Sequence, residues 1–460
     1  MGTGKFVTVY PGVWTKREKP YAEEYMAKIK ELEDRGPIDV QALISGKIEK
    51  GTQGFSNILE VKEDMMLYNA KKYDPDNKLY TDDAYAQKLG YKAKIAMPTF
   101  AAHDDSFLTA FNGKARDFLA VTGLNHSVTQ LHPVYAGDTL YLVKDKLELI
   151  DLTPKEGSVY RNLYLRTYGS VYNQDGVKVI EVMFSARENL KSYEDPADMG
   201  DQRGWESPDW WTRPEHYYTD AEWQEIFDTW AKENPRGDEV LYWEDVNVGD
   251  MPNVTIDGPI HSSCNPTPPY GMAVGGSRTM KELADPAVRA KMTRDHKFGV
   301  YVPDDMTEWD PEVPPYDDPR AKMGPPPSGG EPPKETKRGI FINFLGRDFA
   351  IHHINNWMGT HGWIQNIRWG IMTDPVEQGF AFPKNTAVCE MIEKIPAMAG
   401  KKCNTHGLQY DVMKIHSQVY DKYEKDGEHF VELGFWITTL NDDEIYEEGG
   451  ATIKLPSRNG

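Results

Sequence analysis

The 460-residue sequence predicts an α+β protein made of two repeats, each a curved antiparallel sheet wrapping a long helix. Three observations lead there. The first half carries "VYAGDTLYLVKDKLELIDL" and then "VYRNLYLRTYGSVYNQDGVKVIEVMFSARENL", alternating stretches rich in β-branched and aromatic residues. The second half carries "DPVEQGFAFPKNTAVCEMIEKI" and "DVMKIHSQVYDKYEKDGEHFVELGFWITTL" in the same order. Gln174-Asp175-Gly176 and Asp426-Gly427 stand at matching places as hairpin turns. A helix-like segment precedes each block, "TFAAHDDSFLTAFNG" in the first and "GRDFAIHHINNWMGTHG" in the second. The concave face of a curved sheet can bury such an apolar helix.

These elements divide the chain into a first repeat at 1–195, a tryptophan-rich linker at 196–240 and a second repeat at 241–460. Long helices are expected near Pro98–Phe111 and Gly346–Met358. Within the linker, Asp220 to Glu233 reads as a short helix capped by Thr219 or Asp220, and the tryptophans suggest a packed segment rather than a free tether. The second repeat is interrupted at 302–338 by a Pro- and Gly-rich loop that cannot form regular structure. Long loops of this kind in compact domains often cover a pocket.

The net charge of −20 and the lack of clustered Lys and Arg argue against a nucleic-acid partner. Three cysteines, Cys264, Cys389 and Cys403, fit a reducing compartment without a disulfide framework, and no His/Cys spacing suggests a metal site. The start "MGTGKFVTVYPGVW" has no apolar signal core, and no run of about 18 apolar residues is long enough to cross a membrane. A cytoplasmic location is the expectation.

"YDPDNKLYTDDAYAQKLGYKAKIAMPTF", Tyr73 to Phe100, reads like a catalytic segment whose catalytic residues have been exchanged. With "YAGDTLYLVKDKLELID", "INNWMGTHGWIQNIRW" and the terminal "ATIKLPSR", it resembles the MaoC-like double hot-dog family, the R-specific enoyl-CoA hydratases and their dehydratase relatives. The resemblance spans roughly residues 40–195 and 240–458. It implies a pseudo-dimer of two hot-dog repeats, a site between them, an acyl-CoA thioester as substrate, no cofactor and no metal. A homodimer or larger homo-oligomer is the matching expectation. In the family, an Asp and a His hold a water while a helix N-terminus polarises the thioester carbonyl.

Aligned on Asn77 and Asp82, the resemblance puts the family's catalytic Asp at Pro75 and its His at Tyr80. Neither can act as a base near neutrality, since Pro has no ionisable group and Tyr titrates at about 10. Asp74 and Asp76 flank the position without a paired His in the sequence. The first repeat therefore reads as non-catalytic. In the second, "MTEWDPEVPPYDDPRAKMG" sets Glu308 at the His position, Asp305 at the Asn position and Pro303 at the Asp position. Glu308 becomes the candidate base, Asp305 a second acid, and Gly346 and Arg347 the backbone donors for the thioester oxygen. His353, with its neighbour His352, is the remaining catalytic candidate, although both also read as packed core residues. His361 reads as a complement to a helix C-terminus, and His261 with Cys264 as a weak nucleophile pair. The expected reaction is reversible water addition to an α,β-unsaturated acyl-CoA. The alternatives are a thioesterase or other lyase on the same scaffold, or a non-catalytic acyl-CoA-binding subunit.

Overall fold

A computed structural model describes residues 6–100, 122–191, 193–194, 216–259, 283–294, 299–303, 344–371, 395–398, 411–440, 445 and 447–459. The first half runs α1 (Lys19–Arg35), α2 (Val40–Ile44), β1 (Phe55–Glu60), α3 (Glu63–Tyr73), α4 (Lys78–Thr81) and α5 (Asp83–Lys88). It continues through β2 (Thr122–Gln130), β3 (Thr139–Asp151), β4 (Tyr160–Tyr172) and β5 (Lys178–Lys191). The linker forms α6 (Asp220–Lys232). The second half comprises β6 (Thr255–Asp257), α7 (Pro286–Arg289), β7 (Met292–Arg294), β8 (Tyr301–Pro303), α8 (Phe344–Met358), β9 (Trp363–Ile371), β10 (Met413–Lys425), β11 (Glu428–Thr439) and β12 (Glu447–Leu455).

One ten-stranded sheet has the order β1-β3-β4-β5-β2-β9-β12-β11-β10-β6. Read outward from its centre, the first half is β2-β5-β4-β3-β1 and the second β9-β12-β11-β10-β6. Matching the strands in chain order turns one half into the other. Every pairing within the described residues is antiparallel. The halves join where Asn125–Thr129 of β2 runs against Gly370–Asn366 of β9. There Asn366 Nδ2 donates to Ser127 Oγ at 2.9 Å and to Thr129 Oγ1 at 2.8 Å. This is the double hot-dog arrangement, an α+β fold with two related antiparallel halves.

Both expected hairpin turns connect consecutive strands, but they do not stand at matching places. Gln174-Asp175-Gly176 joins β4 to β5, whereas Asp426-Gly427 joins β10 to β11, the counterparts of β3 and β4. The repeat read from the sequence is therefore out of step by one strand. Asp426 and Gly427 each have positive φ, 54° and 79°, which suits a tight turn between strands of right-handed twist. The helix expected near Gly346–Met358 is α8, lying against β9, β10 and β12. Phe349, Ala350, Ile351, Ile354 and Met358 bury its apolar positions in the main core. Most of the helix expected near Pro98–Phe111 lies outside the described residues.

The linker helix is packed. Thr219 and Glu222 form a reciprocal capping box at the start of α6. Trp223 Nε1 donates to the Gly299 carbonyl at 2.8 Å, and Trp230 Nε1 to the Ile256 carbonyl at 2.6 Å, seating α6 on the second repeat. At the N-terminus α1 packs on β3, burying Tyr25 and Leu32 with Leu147 and Leu165 in a separate apolar cluster.

A close approach within the sheet gives a stability prediction. A Cβ on Gly449 of β12 would collide with the Arg368 carbonyl oxygen and the Phe435 ring, and the carbonyl cannot move without disturbing the ladder. Gly449→Ala should cost about 1–3 kcal/mol, measured by denaturant unfolding. A variant as stable as the parent would show the ladder to be looser than the packing indicates.

Candidate active site

The exchanged motif loop is built by local caps. Asn77 Oδ1 accepts from the Leu79 N–H at 3.0 Å to open α4, and Asp82 Oδ1 accepts from the Tyr85 N–H at 3.1 Å to open α5. This turns Asp74 and Tyr80 inward, where they are 2% and 3% exposed. Pro75 and Asp76 stay on the outer side, lining a cleft of about 680 Å³ with Lys78, Asp82, Asp83 and Lys94. Lys94 is committed to Glu63 at 2.6 Å and Asp83 at 3.1 Å.

The inner side meets helix α8 of the other repeat. Asn355 Nδ2 donates to Asp74 Oδ2 at 2.8 Å and to the Tyr80 hydroxyl at 3.1 Å. Asn77 Nδ2 also donates to Asp74 Oδ2, at 3.0 Å. His352 Nδ1 lies 3.0 Å from Asp74 Oδ1, and its Nε2 lies 3.3 Å from Glu233 Oε2 at the end of α6. The expectation that Asp74 lacks a paired histidine is thus corrected. Its partner comes from the opposite repeat, 278 positions away.

Electrostatics assign each histidine a fixed state. Burial pushes His352 down, but its hydrogen bonds to Asp74 and Glu233, with the charges of Asp74 and Asp257, outweigh it and raise the ring to about 10. It is an imidazolium at neutral pH and cannot accept a proton. His353 faces the other way, with Nδ1 3.0 Å from Thr255 Oγ1 and Nε2 2.7 Å from Ser417 Oγ. Burial, reinforced by the positive charge of His352, lowers His353 to about 3. It is neutral, hydrogen-bonded through both nitrogens and a very weak base. Tyr80 is raised far above its ordinary range by burial and then by Asp74, so it stays a phenol.

The remaining sequence candidates separate spatially. Gly346 and Arg347 lie in the first turn of α8, where backbone N–H groups have no partner within the helix. Glu308 and Asp305 fall in 304–343, outside the described residues, as do His261 and Cys264. His361 follows the end of α8, with Nε2 3.2 Å from Asp238 Oδ1. Among the described residues no three His, Cys, Asp or Glu side chains group as metal ligands. No described helix is long and apolar enough to cross a membrane.

The inner side of the loop is thus tied to α8 through Asp74 and Tyr80. Tyr80→Phe should leave kcat within about tenfold while costing roughly 1 kcal/mol of stability through its lost contact with Asn355. Steady-state kinetics beside chemical denaturation separate the two effects. A loss on the order of 10³ in kcat, with folding intact, would place the chemistry in the first repeat.

Solved structures of similar architecture include a MaoC-domain protein from Chloroflexus aurantiacus, 11% identical, covering 88% of this chain and 94% of its own, with a TM-score of 0.45. A conserved hypothetical protein from Mycobacterium tuberculosis with a double hot-dog fold is 10% identical over 91% of this chain and 98% of its own, with a TM-score of 0.44. The R-hydratase PhaJ1 from Pseudomonas aeruginosa is 21% identical over 30% of this chain and 85% of its own, with a TM-score of 0.22. No protein-family model and no curated protein matches the chain. The double hot-dog arrangement follows from the strand order of this chain itself, and these likenesses carry nothing about its reaction.

Proposed function

We propose that the protein is a hydratase/dehydratase acting on an α,β-unsaturated acyl-CoA thioester, with its chemistry in the second repeat. The observation that carries this reading is the contrast between the two repeats. Residues 304–343 lead directly into α8, whose first turn contains Gly346 and Arg347, whereas Asp74 and Tyr80 of the first-repeat loop are buried in hydrogen bonds. A substrate thioester oxygen at the start of α8 would meet backbone N–H groups and the positive end of the helix dipole.

In this mechanism Glu308 takes a proton from water as the water oxygen bonds to the β-carbon. The C=C electron pair moves toward the thioester, and the Gly346 and Arg347 N–H groups stabilise the resulting enolate. Protonation of the α-carbon by Glu308, or by Asp305 as a second acid, completes hydration, and the reverse sequence eliminates water. For Glu308 to work near neutrality, burial must raise its pKa. Both histidines in the middle of α8 are already committed, which leaves the base to a carboxylate. No cofactor is required, and a cytoplasmic homo-oligomer belongs to the same proposal.

A second reading, a non-catalytic acyl-CoA-binding subunit, is favoured by the loss of the Asp/His pair from the first-repeat loop. Incubation with a panel of enoyl-CoA thioesters, following both enoyl absorbance and free thiol, separates the readings. Absorbance loss without thiol is the expected result. Thiol release would indicate a thioesterase, and no reaction with retained binding would indicate the subunit.

A further inference from the structure

Three parts of the chain meet at one buried line of charge. Asp74 follows the end of α3 in the first repeat, Glu233 ends the linker helix α6, and His352 lies in the middle of α8 in the second repeat. Their side chains are 2%, 4% and 1% exposed. A neutral imidazole has one N–H and one lone pair, so it cannot donate to two carboxylates on opposite nitrogens. Only the imidazolium donates to Asp74 and Glu233 together. The competing arrangement, a neutral ring accepting at Nε2 from Asn356 Nδ2 at 3.1 Å, leaves Glu233 without the ring's N–H.

We propose that His352 is an ionic cross-link that ties the first repeat, the linker and the second repeat into one cooperative folding unit. Separating any of the three parts leaves a buried charge without its counter-charge, and losing the proton has the same effect on one of the two acids. The surrounding groups favour the charged ring. Asp257 on β6 adds negative potential and Asn355 and Tyr80 are neutral, while Asn356 Nδ2 lies between the two partners, 3.3 Å from Glu233 Oε2 and 3.1 Å from His352 Nε2. His353, the adjacent residue, stays neutral between Thr255 and Ser417, so it does not compete for the acids.

The sign of the pH effect follows. The folded ring is held at about 10, above its unfolded value near 6.5, so its contribution is complete below pH 6.5 and disappears as pH rises through 10. The test is calorimetric unfolding of the full chain and of His352→Gln at pH 7 and pH 10.5. The parent should lose more Tm between these two pH values than the variant does, by on the order of 5 °C. Equal losses would overturn the cross-link. Should His352→Gln fail to fold, Glu233→Gln with an NMR titration of the histidine rings serves instead. Removing one acid should move the His352 titration midpoint down, and an unchanged midpoint would equally overturn the proposal.

Discussion

Glu308→Gln is expected to lower kcat for hydration by roughly 10²–10⁴ with little change in ligand affinity. Gln keeps the length and hydrogen-bonding capacity of the side chain and removes only the base. No histidine in the middle of α8 can replace it. His352 is held protonated between Asp74 and Glu233, and His353 is too weak a base with both nitrogens engaged. The acidic limb of the pH–rate profile should vanish in the variant, because in the proposed mechanism that limb reports the Glu308 carboxyl. An active variant with an unchanged profile would place the base elsewhere.

The second large effect is on stability in acid. His353 titrates at about 3 in the folded chain, against about 6.5 when unfolded, because burial and the neighbouring His352 charge oppose its protonation. A group with a depressed folded pKa contributes stability that is complete above its unfolded pKa and lost as pH falls through the folded one. Stability should therefore decline from pH 6.5 toward pH 3, by roughly 5 kcal/mol at the limit for this side chain. His353→Gln should be weaker at pH 7, through altered bonds to Thr255 and Ser417, but its acid decline should be shallower. Denaturant midpoints at pH 7, 5.5 and 4 measure both slopes, and equal slopes would contradict the assignment.

The long hairpin strands of the sheet were legible in the sequence because their signals are local, whereas β2 and β9, which join the halves, were not. Strand periodicity marks β3, β4, β10 and β11, and Asp426-Gly427 supplies the turn chemistry that joins the last two. The helix from Phe344 to Met358 follows from an apolar stretch ending before Gly359, which has φ of 73°. The polar seam was not legible. Asp74, Glu233 and His352 are brought together only when β2 pairs with β9 and α6 seats on the second repeat. Nothing in the local pattern of "YDPDN" distinguishes Asp74, which turns inward, from Asp76, which lines the cleft. In "FAIHHIN" the adjacent histidines look alike, yet helical geometry sends them to opposite partners and opposite charge states.

The most direct test of the central claim is reaction of an enoyl-CoA with the full chain in deuterium oxide, with the product read by mass spectrometry and NMR. Hydration predicts a 3-hydroxyacyl-CoA with one deuterium at the α-carbon and an intact thioester. Unchanged enoyl-CoA, or free coenzyme A with an undeuterated acid, would contradict the account.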